Sequence, residues 1–204
     1  MTRSLAYLLT RSNSAWTFIK KLKFRPLPKI TPSQVTLYVW RSDDRLLEVK
    51  QGVTEATSRT LAKYQYDDTG NRIQRVTGEG VITDYLTDTN FNYAQILEEK
   101  ENNQLTRYEW GLGLIKADGS NNQKFYHADG LGSIVALTNL QGEVSQSYEY
   151  EAFGRLTKEI DNTQDTNRYR YTGEYGDTVI GEQYNRARCS DLHLKPLRTA
   201  FNAI

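Results

Sequence analysis

The feature that most constrains this chain is an aromatic pair, two aromatic residues separated by one position, that recurs along most of the sequence. Because side chains on a β-strand alternate between its two faces, both members of such a pair lie on the same face. The pairs recur roughly every twenty residues, a period that suits one β-hairpin per repeat. They are Tyr38/Trp40, Tyr64/Tyr66, Tyr108/Trp110, Tyr148/Tyr150 and Tyr169/Tyr171, with weaker members at Tyr85 and Phe125/Tyr126.

Three repeats continue alike after the pair: YQYDDTGNRIQRV from Tyr64, YEYEAFGRLTKEI from Tyr148, and YVWRSDDRLLEV from Tyr38, which lacks the glycine. The shared elements are a Tyr, a second aromatic two residues later, an acid, a glycine in the two repeats that have it, and an Arg followed by an apolar residue. The acid can accept hydrogen bonds from nearby backbone N–H groups, and the glycine can take the positive φ of a hairpin turn. The arginine then begins a second strand, and its apolar residues are predicted to return to the core, namely Ile73, Val76 and Leu156.

Composition favours the same fold class. The chain has 14 tyrosines and 14 glycines with only 38% hydrophobic residues, which favours short strands and tight turns over helical bundles. The segment SIVALTNLQGEV predicts another hairpin around residues 139–142. Helical spacing is scarce: residues 94–101 could form a helix or a charged strand, and residues 3–24 could form a basic helix. We therefore predict an all-β fold built from repeated antiparallel hairpins.

The chain divides into three parts. Residues 1–34 form an atypical basic segment with seven Lys or Arg and no Asp or Glu, and prolines at 26, 28 and 32 mark its end. Residues 35–188 form the repeat region, and residues 189–204 form a tail without the pattern. The net charge of +1 gives no reason to expect nucleic acid or an anionic membrane as a partner. No apolar stretch is long enough for a signal-peptide core or a membrane span.

Few residues suggest chemistry. His127 lies close to Asp129, and such a pair could do acid–base work, but a local hydrogen bond within a turn is favoured. Cys189 has no partner for an internal disulfide and no base nearby in sequence, so it is predicted to be a free thiol. Two histidines and one cysteine are too few for a structural zinc site.

The acidic and glycine pairs are predicted to serve turns. The acids at 43–44 and 67–68 do not have calcium-loop spacing, and the glycines at 111/113 and 130/132 lack the features of a phosphate cradle. A carboxylate pair for glycoside hydrolysis stays open, because its separation is set in three dimensions. The recurring tyrosines could bind sugars or peptides, but layers of core packing are favoured. No cofactor, no metal and no enzyme activity are predicted.

These motifs, taken in order, resemble the YD-repeat or RHS (rearrangement hotspot) family. The resemblance rests on YQYDDTGNRIQRV, on FYHADGLGSIVALTNLQGEVSQSYEYEAFGRL and on NRYRYTGEYGDTVIGEQYNRAR, and it covers about residues 37–188. Residues 125–156 resemble the RHS-associated core of that family. After Arg188 the family's aromatic pair is replaced by Cys189-Ser190-Asp191-Leu192, as a truncated or degenerate fragment would show.

The resemblance implies a curved or spiral sheet that forms part of a hollow shell, as in bacterial RHS toxins, insecticidal toxin complexes and teneurins. It implies a non-catalytic structural fragment whose shell encapsulates a toxin or cargo polypeptide; the alternative is a carbohydrate- or protein-binding adhesion module. The implied partners are the rest of a longer shell and its cargo, and open strand edges predict self-association. The implied location is secreted or at the cell surface.

The residues predicted to carry the repeat motif share a role as strand aromatics, turn formers or strand-initiating arginines. They are Tyr64, Tyr66, Asp67, Gly70, Arg72, Tyr126, Asp129, Gly130, Gly132, Tyr148, Tyr150, Gly154, Arg155, Tyr169, Tyr171, Gly173, Arg186 and Arg188.

Overall fold

The computed structural model describes residues 29–30, 34–90, 94–119, 122–161, 167–185 and 188–190. The predicted basic helix over residues 3–24 lies outside these residues. The strands are β1 Lys29–Ile30, β2 Val35–Trp40, β3 Leu46–Gly52, β4 Arg59–Tyr66, β5 Arg72–Thr77, β6 Ile82–Asp88, β7 Gln95–Glu101, β8 Gln104–Trp110, β9 Leu114–Gly119, β10 Asn122–Ala128, β11 Ile134–Thr138, β12 Val144–Tyr150, β13 Leu156–Asp161, β14 Tyr175–Asp177, β15 Glu182–Asn185 and β16 Arg188–Ser190. Two 3-10 turns span Glu55–Thr57 and Tyr171–Gly173. No helix in this described part is long and apolar enough to cross a membrane.

The described residues form two compact units, which divide between Leu105 and Thr106. In the first unit, each strand from β1 to β7 pairs antiparallel with the next in sequence. In the second unit, β8 to β13 pair in the same way, and β14 pairs with β15 in a separate small sheet. The prediction of an all-β fold made of successive antiparallel hairpins is confirmed.

One aromatic residue marks the first strand of each hairpin. Tyr38, Tyr64, Tyr85, Tyr108, Tyr126 and Tyr148 lie on β2, β4, β6, β8, β10 and β12. The last aromatic pair is different: Tyr169 makes an isolated bridge to Tyr175, and Tyr171 begins a 3-10 turn, so the expectation that this pair lies on a strand is wrong. Residues 94–101, left open as helix or strand, contain strand β7.

A β-bulge follows most of the hairpin loops. In the β4–β5 hairpin, Tyr66 opposes Arg72 while Gln65 opposes Gln74, so Ile73 is the extra residue. The same shift occurs beside the loops of β2–β3, β8–β9, β10–β11, β11–β12 and β12–β13. A bulge changes which side chains face inward, and the buried positions of the second strands lie three residues apart. These pairs are Leu46/Val49, Arg72/Arg75, Leu114/Ala117 and Ile134/Leu137.

The bulge corrects one prediction about the core. Ile73 was expected to return to the core, but it is 39% exposed because it is the bulged residue. Its place on the buried face is taken by Arg72 and Arg75, which are 3% and 1% exposed. The sequence pattern identified the strand correctly and assigned its faces wrongly.

Candidate functional site

Six hairpins each have a five-residue loop of the same type. These loops span 41–45, 67–71, 77–81, 129–133, 139–143 and 151–155, and in each the first residue's N–H donates to the fifth residue's carbonyl. The fourth residue has a positive φ in every case: Asp44, Gly70, Gly80, Gly132, Gly142 and Gly154. This conformation suits glycine, so the repeated glycine of the sequence marks one fixed position of one loop type.

An acid or amide at the first loop position organises the loop. Asp67 Oδ1 accepts hydrogen bonds from the backbone N–H groups of Gly70 and Asn71 at 2.6 and 2.7 Å, and from the Thr69 hydroxyl at 2.8 Å. Burial acts to raise the pKa of the Asp67 carboxyl, but these hydrogen bonds outweigh burial and lower the pKa below its ordinary value. Asp129 and Asn139 accept equivalent bonds in their own loops.

The repeat that lacks glycine uses an aspartate instead. Asp44 takes the fourth position with φ 70°, and aspartate tolerates this region better than most residues. Its neighbour Asp43 bonds the guanidinium groups of Arg41, at 2.7 and 2.8 Å, and of Arg45. The hydrogen bond from Arg41 is the main cause that holds the pKa of Asp43 well below its usual range.

The second tyrosine of a pair links one hairpin to an earlier one. Tyr66 Oη donates to the carbonyl of Leu46 at 2.9 Å, and Tyr150 Oη donates to the carbonyl of Ile134 at 2.9 Å. Both acceptors are the first strand residue after a five-residue loop. Burial raises the pKa of Tyr148 to about 12 and also raises that of Tyr150, so both phenols stay protonated donors well above neutral pH.

The two arginines that the sequence pattern grouped together have different roles. Arg72 is 3% exposed, and its guanidinium lies over the ring of Tyr64 at 4.1 Å from the centroid. Arg155 is the fifth residue of its loop and forms an exposed ion pair with Glu151, with Nε donating to Oε2 at 2.8 Å. By strand register Arg72 corresponds to Leu156, which opposes Tyr150 as Arg72 opposes Tyr66.

Replacing each of these arginines by alanine separates the two roles. We expect Arg72→Ala to lower the free energy of unfolding by about 2 kcal/mol, because it removes a buried stem and a desolvated cation–π contact. Arg155→Ala should leave the free energy of unfolding almost unchanged, because exposed ion pairs contribute little. Urea unfolding followed by tyrosine and tryptophan fluorescence measures both, and equal losses would contradict this assignment of roles.

The first unit contains a polar cross-strand row that sequence reasoning missed. Tyr64, Arg75, Thr83 and Glu101 oppose one another on β4, β5, β6 and β7. Arg75 Nη2 donates to the Thr83 hydroxyl at 3.0 Å and to Glu101 Oε2 at 2.8 Å. On the neighbouring row, Gln65 donates to Gln74 at 2.9 Å, and Gln74 donates to Asp84 at 2.7 Å. The sequence pattern considered arginine only as the residue that begins a strand. The burial of Arg75 depends on the bulge at Ile73, which the sequence alone did not reveal.

The second unit contains an aromatic cluster centred on Tyr169. The ring of Tyr169 is 3% exposed and meets four rings edge-on at centroid distances of 5.1 to 6.3 Å. These rings are Tyr108, Trp110, Tyr126 and Tyr175. Since Tyr64, Tyr108, Tyr148 and Tyr169 are at most 6% exposed, these tyrosines do not form an exposed platform for a sugar.

Residues 167–177 form a strap, our name for this segment, that holds two loops of the second unit. The Ile134 N–H donates to the Arg170 carbonyl at 2.9 Å, and the Thr172 N–H donates to Ser133 Oγ at 3.1 Å. Tyr171 Oη donates to the carbonyl of Ala152 at 2.7 Å. The strap contains Gly173, whose φ is 66° and which packs closely against Gly132. The YTG motif therefore ties the 129–133 loop to the 151–155 loop.

A cavity of about 200 Å³ lies beside the strap. Tyr150, Gly154 and Leu156 line it from the sheet, and Arg170, Asp177 and Glu182 line it from the strap and the small sheet. Asp177 and Glu182 oppose each other on β14 and β15 and are 1% and 3% exposed. They form a buried pair of acids across β14 and β15, and Asp177 also accepts from the Val179 N–H at 3.2 Å.

The remaining predicted residues contribute no cluster of ligands. His127 lies on β10, outside the turn in which it was expected, and its Nε2 is 3.0 Å from the Thr138 hydroxyl across the hairpin. Gly130 is the second residue of the 129–133 loop. Arg188 and Cys189 are on β16, and Arg186 lies outside the described residues. Among the residues that the structure describes, no group of three His, Cys, Asp or Glu side chains could hold a metal ion.

Sequence comparison relates the chain to named proteins of Bacillus. It is 33% identical over 155 residues to the tRNA3(Ser)-specific nuclease WapA of Bacillus spizizenii and 33% identical over 154 residues to the tRNA nuclease WapA of Bacillus subtilis. The chain is similar to WapA. Each match covers 74% of this chain and 6% of the relative, so the chain spans only a small part of the length of these curated relatives. No family model matches the chain.

Structural comparison supports the fold. The chain is similar to TcdB2-TccC3 without its hypervariable C-terminal region, with TM-score 0.59 and 15% identity over 79% of this chain and 8% of that one. It is also similar to the Photorhabdus luminescens Tc holotoxin pore, with TM-score 0.57 and 15% identity over 80% of this chain and 8% of that one. These likenesses show a shared fold, which is the fold that the resemblance to insecticidal toxin complexes implied.

The comparisons overturn one prediction. The chain was expected to have no enzyme activity, but the sequence relatives are named as tRNA nucleases. Nuclease activity is named for the whole of each relative, of which the match covers 6%. The prediction relied on the motifs of this chain alone, and a segment of repeats carries no motif that reports the activity of a longer protein.

Proposed function

We propose that this chain is a section of the wall of an RHS or YD-repeat shell, within a longer toxin-type protein that encloses a polypeptide cargo. The observation that carries this proposal is the series of hairpins with the same five-residue loop conformation, most of them with a bulge, present in a chain that is similar both to WapA and to TcdB2-TccC3. A tRNA nuclease is the cargo that the names of the sequence relatives favour. Secretion or display at the cell surface would suit such a protein.

The repeat geometry supports a wall because each hairpin is joined to its neighbours by bonds that do not depend on cargo. The Tyr66 and Tyr150 hydroxyls reach carbonyls 20 and 16 residues earlier. Stability then comes from contacts between neighbouring repeats, as in other repeat proteins. A wall of this kind can continue in either direction by adding hairpins. The motif roles of Arg186 and Arg188 belong to this proposal as well.

A chimera tests the proposal. In the chimera, the 154 residues of Bacillus subtilis WapA that match this chain are replaced by the aligned residues of this chain, which we call the graft. Limited proteolysis then measures how fast the polypeptide C-terminal to the graft is cut. We expect the following segment to be cut as slowly as in WapA itself, and to be cut rapidly after urea opens the protein. A matched control carries Leu137→Ala in the graft, which weakens the hairpins without changing the surface.

Two results would overturn the proposal. In the first, the graft resists protease while the segment after it is cut at the rate seen in urea, which would mean that these hairpins do not help to enclose it. In the second, the 204-residue chain folds alone while the chimera does not, which would mean that the chain does not fit a repeat wall.

A further inference from the structure

The cavity beside the strap joins an apolar wall to buried charge. It measures about 200 Å³, and every residue that lines it belongs to the second unit. Tyr150 and Leu156 form the apolar wall on the side of the sheet. Asp177 and Glu182 line the cavity from the small sheet and are 1% and 3% exposed. A pocket with an apolar wall and a few charged groups is the usual form of a site for a small ligand.

The cavity opens to solvent at the turn between β14 and β15. Thr178 and Gly181 line it, and both are exposed. A Cβ added at Gly181 would meet no atom of the described residues within 4 Å, so there is free space at the mouth. At about 30 Å³ for each non-hydrogen atom, a cavity of about 200 Å³ accommodates about six or seven such atoms. The volume therefore suits a small molecule or a single side chain.

The lining of the cavity carries an excess of negative charge. Three carboxylates, those of Glu174, Asp177 and Glu182, line the cavity together with one guanidinium, that of Arg170. Arg170 Nη2 donates to Glu159 Oε1 at 2.7 Å, so the charge of this guanidinium is partly balanced by a carboxylate that does not line the cavity. Opposite charges attract most strongly where water is excluded. The cavity therefore favours a cation over an anion.

The pair of Asp177 and Glu182 reduces stability and is fixed in position. The two residues lie directly opposite each other on β14 and β15, where like charges destabilise a sheet, and burial removes both carboxylates from water. Asp177 Oδ1 accepts from the Val179 N–H at 3.2 Å, which orients its carboxylate. Gln183, next to Glu182, donates through Nε2 to the Tyr171 carbonyl at 2.8 Å, which ties β15 to the strap. Groups that cost stability and are held rigidly are characteristic of binding sites.

The walls of the cavity define the kind of cation. A bare metal ion is not favoured, because no group of three His, Cys, Asp or Glu side chains among the described residues could hold one. The Tyr150 hydroxyl already donates to the Ile134 carbonyl, so Tyr150 offers the cavity its ring, which attracts cations. We propose that this cavity binds an alkylammonium group, with its ammonium at Asp177 and Glu182 and its chain against the apolar wall. A free amine and a lysine side chain both present this group.

The test uses the 204-residue chain and does not depend on the proposed shell. n-Pentylammonium is titrated into the isotope-labelled chain, and NMR follows the backbone amides of Gly176 and Gly181, which line the cavity, with Gly142, which does not, as the reference. We expect saturable shifts at the two lining glycines with a Kd on the order of 1 mM, as a ligand of this size permits. n-Pentanol, which has the same chain without the charge, should bind about tenfold more weakly or worse. N-acetyl-lysine amide then separates the two sources of the group: its binding shows that a lysine side chain can enter, and binding of n-pentylammonium without it restricts the site to free amines.

Two variants and a control assign the binding to this cavity. Glu182→Gln should weaken binding about tenfold or more and leave the unfolding midpoint of the ligand-free chain unchanged or higher, because it removes one of two opposed charges. Leu156→Phe fills part of the cavity without a change in charge and should also weaken binding. Glu149→Gln makes the same change in charge at an exposed carboxylate outside the cavity and should leave the Kd unchanged.

Three results would overturn the proposal. The first is the absence of saturable shifts in the parent chain, and the second is equal binding of n-pentanol and n-pentylammonium, which would mean that the cavity is merely apolar. The third is a Kd that Glu182→Gln and Leu156→Phe change no more than Glu149→Gln does, which would place the bound amine elsewhere on the chain.

Discussion

Gly154→Ala is expected to lower the free energy of unfolding by about 3 kcal/mol. Gly154 has φ 86°, where a side chain costs about 1 to 2 kcal/mol. An added Cβ would also come within 2.5 Å of a ring carbon of Tyr171. That ring is held by its hydroxyl on the carbonyl of Ala152, so it cannot move aside without breaking a hydrogen bond, and overpacking of this kind costs about 1 to 3 kcal/mol.

Gly142→Ala is the matched control for this substitution. Gly142 occupies the same fourth position of the same loop type with φ 79°, but no atom lies within 4 Å of its added Cβ. We therefore expect a loss of only about 1 kcal/mol, from backbone strain alone. Urea unfolding of both variants measures the difference, which reports the contact between the strap and the 151–155 loop. Equal losses for the two glycines would mean that Tyr171 does not pack on this loop in solution.

The sequence was sufficient to predict the hairpins because three local signals agree. A tyrosine on the first strand, an acid at the first loop position and glycine at the fourth all occur in the repeats beginning at Tyr64 and Tyr148. Each signal has a local physical cause, namely strand propensity, backbone capping or positive φ. Local causes of this kind can be recognised in a single sequence. Because each hairpin pairs strands that are consecutive in sequence, recognising the hairpins also predicts the strand order in each unit.

The faces of the second strands could not be predicted in the same way. Period-two alternation would place Ile73 inward with Arg75 on its face, yet the bulge leaves Ile73 exposed and buries Arg72 and Arg75. A spacing of three between buried residues would ordinarily indicate a helix. Only the pairing of β5 with β4 shows that Ile73 is an extra residue. Because this pairing depends on both strands, the sequence of β5 alone cannot predict it.

The strap was missed for a related reason. Tyr169 and Tyr171 have the spacing of a strand pair, but Tyr169 is surrounded by four rings and Tyr171 packs on Gly154. Both contacts join residues distant in sequence, so tertiary packing overrides the local pattern. Asp177 and Glu182 were likewise indistinguishable from other acids until the β14–β15 pairing placed them opposite each other beside a cavity.

Leu137→Ala is expected to lower the free energy of unfolding by about 3 kcal/mol, as large cavities in well-packed cores do. Leu137 is 0% exposed and lies on β11 between Tyr126 of β10 and Gln146 of β12. Both neighbours are held in strand pairs, so they cannot collapse fully into the space that the lost side chain leaves.

Leu140→Ala is the matched control, because Leu140 is the same residue type only three positions away and is 64% exposed in the 139–143 loop. It should change the free energy of unfolding by less than about 0.5 kcal/mol. Thermal and urea unfolding of the two variants give the comparison directly. A small effect of Leu137→Ala would mean that the buried face of these hairpins is not a packed core, and a wall made of such hairpins could not keep a polypeptide from the surrounding water. A large effect of Leu137→Ala with little effect of Leu140→Ala would instead show that the buried face of β11 is a packed core, as a wall extended repeat by repeat requires.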